Sequence, residues 1–156
     1  LRGKADFVLD TSHTSPNELR LKLGSIFPLS NNRSIQIMLQ SFSFRKGSLA
    51  GLDMVFDCRF LKNPNWVSNL KGLNGTDDEV KEYLSKDKSW PPFKKNILQM
   101  LAITIPAFER EGKSYLSIGL GCTGGQHRSV FVAEQLYKPL LDIKDNVRIL
   151  HTSLQK

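Results

Sequence analysis

The sequence predicts an α/β protein with a parallel or mixed sheet covered by helices. Segments with alternating apolar and polar residues, typical of strands, are interspersed with segments whose apolar residues recur at helical spacing. Near the C-terminal end, an apolar run at 115–120 precedes the glycine-rich segment 121–130 and a helix-like stretch at 131–140. This order predicts a strand, a glycine-rich loop and a helix, whose first backbone N–H groups would form an anion site.

The other elements of the main domain can be assigned in order. Strands are predicted at 35–44, 54–61 and Val147–His151. Thr76 and Glu79 fit a capping box, which predicts a helix to about Lys86. Pro91 or Pro92 opens a longer helix, because proline is favoured in the first helical turn. The apolar stripe of that helix is predicted to face the core and consists of Phe93, Ile97, Leu101, Ile105 and Phe108.

The first 33 residues predict a separate piece of structure. Residues 5–10 are typical of a strand, and Ser15 and Glu18 form a capping box that opens a helix to about Leu23. Residues 24–33 have the composition of a linker. We therefore predict that residues 1–33 are the tail of a preceding domain plus a linker, and that 34–156 form the main domain.

The composition favours anionic partners and a reducing compartment. The chain has 22 Lys plus Arg against 15 Asp plus Glu, a net charge of +7, but the charges are scattered, so RNA is only one candidate. No segment is long and apolar enough to span a membrane, which predicts a soluble cytoplasmic protein. The two cysteines, Cys58 and Cys122, have no metal ligands at a usable spacing, so neither a metal site nor a disulfide scaffold is expected.

The segment after the predicted strand at 115–120 is the strongest functional signal. It lacks the lysine of the phosphate-binding motif GxxxxGK(S/T) and the third glycine of the motif GxGxxG, so its sequence excludes both motifs. Its glycines, hydroxyls and cationic side chains nevertheless suit a phosphate. The candidate phosphate ligands are Cys122, Thr123, Gly124, Gly125, Gln126, His127, Arg128 and Ser129.

A cysteine-dependent phosphatase is an alternative interpretation of the same segment. Five residues separate Cys122 from Arg128, and Ser129 follows, which is the spacing at which a thiolate attacks phosphorus while the arginine holds its oxygens. Asp57 is the candidate general acid, whereas Gly121 stands where such enzymes usually have histidine. A simple tight turn between strand and helix also remains open.

A second polar cluster follows the strand predicted at 54–61. Asp57 and Arg59 are expected on one face of that strand, as either a ligand clamp or a structural ion pair. In the turn beyond it, Trp66 could stack on a sugar, although packing at the rim of the site is the favoured interpretation. His13 and His151 receive no predicted role.

Several segments resemble the C-terminal domain of the RapZ family of bacterial RNase adapter proteins. The run 121–130, GCTGGQHRSV, is the most specific of them, and the resemblance extends over about residues 34–156. The other matching segments are 41–44, 55–66, 70–75 and 133–136. Residues 10–13 and 18–20 resemble the end of the family's N-terminal P-loop, kinase-like domain.

The resemblance implies a regulatory adapter that is not itself an enzyme. Such a domain would sense glucosamine-6-phosphate, bind small RNA and present it to an RNase E-like nuclease. Phosphate would lie on the loop, and the sugar would reach Asp57, Arg59 and Asn65, the last replacing a histidine of many members. No cofactor is expected in this fragment, whereas ATP or GTP would bind the missing N-terminal domain. A homo-oligomer is expected.

The implied RNA role is weaker in this sequence than the sugar-phosphate role. The strongly basic tail of the enteric members is reduced here to Arg148, His151 and Lys156. The candidate RNA-binding residues are Arg45, Lys46, Arg148 and Lys156. A third hypothesis is a structural module that dimerises and positions the nucleotide-binding domain.

Overall fold

The computed structural model describes residues 8–12, 14–15, 18–19, 22–23, 34–47 and 49–154. The chain divides into two compact units, Leu1–Arg33 and Ser34–Lys156. None of the helices in the described ranges combines the length and apolar character that crossing a membrane requires.

In the first unit, the predicted capping box is confirmed. The backbone N–H and the hydroxyl of Ser15 donate to Glu18 Oε2 at 2.8 and 2.9 Å, and the Glu18 N–H donates to Ser15 Oγ at 3.3 Å. Residues 18–19 and 22–23 are helical, whereas residues 8–10 are not in a strand. That part of the strand prediction is wrong, because Asp10 Oδ1 accepts the N–H of Ser12 in a local turn. The predicted linker at 24–33 lies outside the described residues.

The second unit contains a four-stranded parallel sheet, which confirms the predicted α/β class. The strands are β1 (Gln36–Ser43), β2 (Met54–Asp57), β3 (Tyr115–Cys122) and β4 (Val147–His151). Their order in the sheet is β2-β3-β1-β4, so the two central strands are β3 and β1. Because every pairing is parallel, the carboxyl ends of all four strands lie at one edge of the sheet.

Three helices cover one face of this sheet. They are α1 (Asp78–Ser85), α2 (Trp90–Arg110) and α3 (Arg128–Leu141). Alternate residues of the strands, such as Ile37 and Leu39, join buried residues of the helices, such as Leu101 and Leu136, in one hydrophobic core. On the other face, Met38 of β1 is only half-buried, whereas Phe42 and the β3 residue Ser117 are buried. The helical stripe predicted for α2 is therefore a core stripe, as expected.

Two predicted boundaries are wrong, and local side-chain bonds explain both. The strand β2 ends at Asp57 because its carboxylate accepts the N–H of Arg59 at 2.9 Å, which turns the chain out of the sheet. The helix α1 has Asp77 as its N-cap, without the predicted Thr76 capping box. The Thr76 N–H donates instead to Asn74 Oδ1 at 2.8 Å.

Candidate functional site

The loops that follow the strands meet at the carboxyl edge of the sheet. The segment 123–127, which we call the glycine loop, connects β3 to α3 in the predicted order. Its first residue is fixed by the end of β1: Ser43 Oγ donates to the Thr123 carbonyl at 2.8 Å, and the Arg45 N–H approaches the same oxygen at 3.4 Å. The glycine loop therefore has a position set by two neighbouring strands.

The sulfur of Cys122 lies at the centre of the glycine loop. The N–H of Gly125 donates to Sγ at 3.2 Å, and the Ser129 hydroxyl is 3.1 Å from the same atom. Gly125 has a φ of +70°, a conformation that glycine adopts without strain and that directs its N–H towards the sulfur. Cys122 is only 2% exposed, and Ser129 is fully buried.

Arg128 joins the glycine loop to the segment that follows β2. Its Nη1 donates to the carbonyl oxygens of Arg59 at 2.6 Å and Leu61 at 3.3 Å, and its Nη2 donates to Thr123 Oγ1 at 3.3 Å. The side chain is 7% exposed, so these acceptors compensate for its removal from water. The guanidinium predicted to hold phosphate thus also organises the site.

His127 supports a neighbouring loop with its ring. The ring Nε2 is 3.2 Å from the Leu70 carbonyl, and because a carbonyl only accepts, Nε2 carries a hydrogen. Burial lowers the pKa of His127 below its ordinary value, although the carbonyls of Leu70 and Leu73 oppose that shift. The ring is therefore neutral at pH 7. The N–H of Gly75 also donates to the Gln126 carbonyl at 2.9 Å, so both loops are tied together.

Asp57 and Arg59 form an ion pair at the same edge. Arg59 Nε and Nη2 donate to Asp57 Oδ2 at 2.9 and 2.6 Å, and the guanidinium lies 4.4 Å from the centre of the Phe44 ring. The hydrogen bond from Arg59 lowers the pKa of Asp57, so this carboxyl group is ionised at neutral pH. The ion-pair interpretation accounts for the geometry. Arg59 lies in the turn after β2, however, not on the strand as predicted.

The remaining candidates occupy different parts of the unit. Asn65 and Trp66 lie in a 3-10 turn after β2, and Trp66 is 84% exposed, so the prediction that it packs at a rim is wrong. Arg45 and Lys46 are exposed in the 3-10 turn after β1. Arg148 is exposed on β4, three residues before the end of that strand. The predicted Lys156 lies outside the described residues.

The structure also contains a hydrogen-bonded chain that sequence analysis missed. Ser41 Oγ is 2.8 Å from His151 Nδ1, and His151 Nε2 is 3.0 Å from Glu134 Oε1. Ser41 and His151 are register partners on β1 and β4, and Glu134 comes from α3. The one sequence signal for this chain of hydrogen bonds is the polar Ser41, which follows apolar residues on the core-facing side of β1. Because Ser41 is fully buried, this chain of residues positions the strands and offers no exposed nucleophile.

Two further hydrogen bonds to Ser41 fix the segment that supports the glycine loop. The N–H and hydroxyl of Thr152 donate to the Ser41 carbonyl at 3.0 and 2.9 Å. The next side chain, Ser153, packs so closely on Gly125 that a Cβ there would lie 2.5 Å from Ser153 Oγ. Within the described ranges, this buried hydroxyl has no hydrogen-bond partner. Both a positive φ and a close neighbour therefore require glycine at position 125.

Comparison with known proteins identifies relatives of this chain. Residues 35–155 match the family model described as the RapZ C-terminal domain. The chain belongs to the RapZ family. It is 42% identical over its whole length to a nucleotide-binding protein of Cereibacter sphaeroides, of which it covers 52%. It is also 47% identical, over 90% of its length, to a nucleotide-binding protein of Dinoroseobacter shibae, of which it covers 47%. The chain thus spans about half the length of these curated relatives.

The hydrogen bond between Ser41 and His151 can be tested by a double-mutant cycle. His151→Ala should reduce the free energy of unfolding by about 1–3 kcal/mol, because it leaves a buried hydroxyl without its partner. In a Ser41→Ala background the same change should cost less, with a coupling of about 0.5–3 kcal/mol. Urea denaturation measures both, with Arg148→Ala as the exposed control on β4. An equal cost in the two backgrounds would contradict the coupling.

Proposed function

We propose that this chain is a regulatory adapter domain that binds a phosphorylated amino sugar of the glucosamine-6-phosphate type. It also binds small RNA and presents it to an RNase E-like nuclease in the cytoplasm, as a homo-oligomer. The family membership supports the adapter role. The observation that carries the ligand class is the glycine loop at the start of α3, a helix of 14 residues. Its first backbone N–H groups and the helix dipole favour an anion.

We assign the phosphate to the space over Gly124. An ideal Cβ on this exposed residue would have no neighbour within 4 Å, whereas a Cβ at Gly125 would collide with Ser153. Thr123 is half-buried beside it, with its hydroxyl held by Arg128. Because the imidazole of His127 is directed at Leu70, we assign that residue's backbone, not its ring, to the phosphate.

The sugar is assigned to the segment after β2. Asp57 is ionised and 46% of its side chain is exposed, so it can attract the ammonium group of an amino sugar. Asn65 adds an amide that can both donate to and accept from sugar hydroxyls. Arg128 bonds to the carbonyls of Arg59 and Leu61, and this links the sugar side of the site to the phosphate side.

The role of the glycine loop in ligand binding can be tested by adding one methyl group at Gly124. Gly124→Ala should leave stability unchanged but weaken glucosamine-6-phosphate binding by about tenfold or more, because the methyl group would occupy the proposed phosphate space. Isothermal titration calorimetry would compare this variant with wild type. Separate titrations with glucosamine and with inorganic phosphate would measure how much each half of the ligand contributes to binding.

Gly72→Ala is the matched control, because a Cβ there also meets no atom within 4 Å and the residue lies outside the glycine loop. It should bind like wild type. Equal affinities for Gly124→Ala and Gly72→Ala would remove the glycine loop from the binding site.

A cysteine-dependent phosphatase is the second candidate, and the contacts of Cys122 favour it. The Gly125 N–H and the Ser129 hydroxyl are placed where they would hydrogen-bond a thiolate. Two other observations oppose catalysis. Arg128 is engaged by backbone carbonyls, and Asp57, the candidate general acid, is ionised at neutral pH and therefore has no proton to give a leaving group.

The two candidates differ in turnover. We expect no phosphate release from a generic aryl phosphate by wild type, and we expect Cys122→Ser to keep sugar-phosphate affinity to within about tenfold. A colorimetric phosphate assay and calorimetry measure these quantities. Phosphate release that disappears in Cys122→Ser would instead establish the phosphatase.

A nucleotide site is assigned to the part of the protein outside this chain. The relatives named as nucleotide-binding proteins are about twice as long as the chain. We therefore assign ATP or GTP to the additional domain of the full-length protein. A purely structural module that dimerises and positions that domain would have the same fold, but it would bind no sugar phosphate.

RNA binding should be electrostatic and should depend strongly on salt. Arg45 and Lys46 are exposed at the carboxyl edge, so Arg45→Ala should weaken binding similarly for structured RNAs of different sequence. Gel shifts at low and moderate salt would test this, with Lys88→Ala as an exposed control of equal charge change. Absence of binding even at low salt would remove RNA from the proposed function.

A further inference from the structure

The two cysteines of the chain occupy adjacent positions on neighbouring strands. Asp57 of β2 is the register partner of Gly121 of β3. The ladder continues one residue further, because the Cys58 N–H donates to the Gly121 carbonyl at 2.8 Å. Cys58 and Cys122 are the next residue on each strand. We propose that they form a redox-active thiol pair, which a peroxide oxidises to a disulfide beneath the glycine loop.

The spacing of the strands suits such a bond. Neighbouring strands lie about 4.7–4.9 Å apart, and disulfides join residues whose Cα atoms are about 4.4–6.8 Å apart. Strand alternation places both side chains on the core-facing side of the sheet, and both belong to the same hydrophobic core. Both cysteines are free thiols in this structure.

Disulfide formation requires the side chains of Cys58 and Cys122 to turn towards each other. The Cys58 thiol donates to the Phe56 carbonyl at 3.7 Å, which is a weak bond. Its backbone is held on both sides, because the Cys58 N–H donates to the Gly121 carbonyl at 2.8 Å and the Leu61 N–H donates to the Cys58 carbonyl at 3.3 Å, so the movement at Cys58 is confined to its side chain. A change of χ1 at Cys58 would direct its sulfur towards β3.

The surroundings of the two sulfurs set the order of the steps. Burial raises the pKa of Cys58, and the charge of a Cys122 thiolate raises it further, so Cys58 is the slower nucleophile. Cys122 has the Gly125 N–H directed at its sulfur and precedes the exposed Gly124 by two residues, whereas Cys58 is fully buried. Cys122 is therefore the residue that meets the oxidant, and Cys58 is the resolving thiol.

The chemistry balances with hydrogen peroxide as the oxidant. The Cys122 thiolate attacks one peroxide oxygen; an S–O bond forms, the O–O bond breaks, and the hydroxide released takes a proton to become water. Cys122 is then a sulfenic acid. Cys58 attacks its sulfur; an S–S bond forms, the S–O bond breaks, and the leaving hydroxide takes the Cys58 proton as a second water. Two thiols are oxidised and one peroxide is reduced.

Disulfide formation would change the glycine loop whatever the loop binds. The Cys122 sulfur has to turn towards Cys58, away from the Gly125 N–H and the Ser129 hydroxyl, so both groups lose their present partner. The conformation of the loop would then report the redox state of the pair. This inference does not depend on the proposed sugar-phosphate site.

The test uses the wild-type chain and needs no ligand. Folded protein is treated with hydrogen peroxide, unfolded, alkylated and mapped by mass spectrometry; circular dichroism before unfolding shows that the fold is kept. We expect an intramolecular Cys58–Cys122 disulfide, loss of both alkylatable thiols, and full recovery of both with dithiothreitol. The Gly125 amide resonance should shift on oxidation and return on reduction.

Cys58→Ala is the control variant, because it removes only the resolving thiol. It should accumulate a Cys122 sulfenic acid that dimedone traps, whereas wild type should show little trapping. Equal trapping in the two proteins, or disulfides formed only between molecules, would overturn the proposal. So would two thiols that both remain alkylatable after treatment.

Discussion

The carboxyl edge of the sheet depends on one buried guanidinium. Arg128 begins α3, so the helix fixes its position, and its side chain donates to the carbonyls of Arg59 and Leu61 and to the Thr123 hydroxyl. A buried cation without such acceptors would cost several kcal/mol, of the order of the desolvation penalty of an ion. The segments after β2 and β3 must therefore keep their carbonyl and hydroxyl groups around it. Neither segment can adopt its present conformation independently of the other.

Much of the fold follows from patterns that are local in sequence. The alternation in β1, the helical stripe of α2 and the glycine-rich run before α3 each predicted the correct element. The end of β2 was missed because a single Asp57 side-chain bond overrides the strand pattern that continues to Leu61. The predicted Thr76 cap was missed for a similar reason, since Asn74 competes for the same N–H.

The candidate site was only partly predictable, because its side chains have partners that are remote in sequence. The glycine loop could be identified from its unusual amino-acid sequence alone. The His127 ring bonds to the Leu70 carbonyl, and the Arg128 guanidinium bonds to the segment after β2. Both bonds depend on tertiary packing, which the spacing of residues in the sequence does not reveal. The bond between Ser41 and His151 depends on the register of two strands that are more than a hundred residues apart. The sequence therefore indicates candidate ligands, but not the tertiary hydrogen bonds that the same side chains make.

The order of the strands has a consequence for how the protein is made. The central strand β1 pairs with β3 and β4, which both come from the last 42 residues of the 156-residue chain. During synthesis, β1 leaves the ribosome long before either partner strand has been made. Its backbone N–H and C=O groups therefore lack their strand partners until β3 and β4 have been synthesised. Pairing of this kind has a high contact order and closes slowly. The site at the carboxyl edge is consequently among the last parts of the molecule to form, and a nascent chain that lacks its final strand cannot display it.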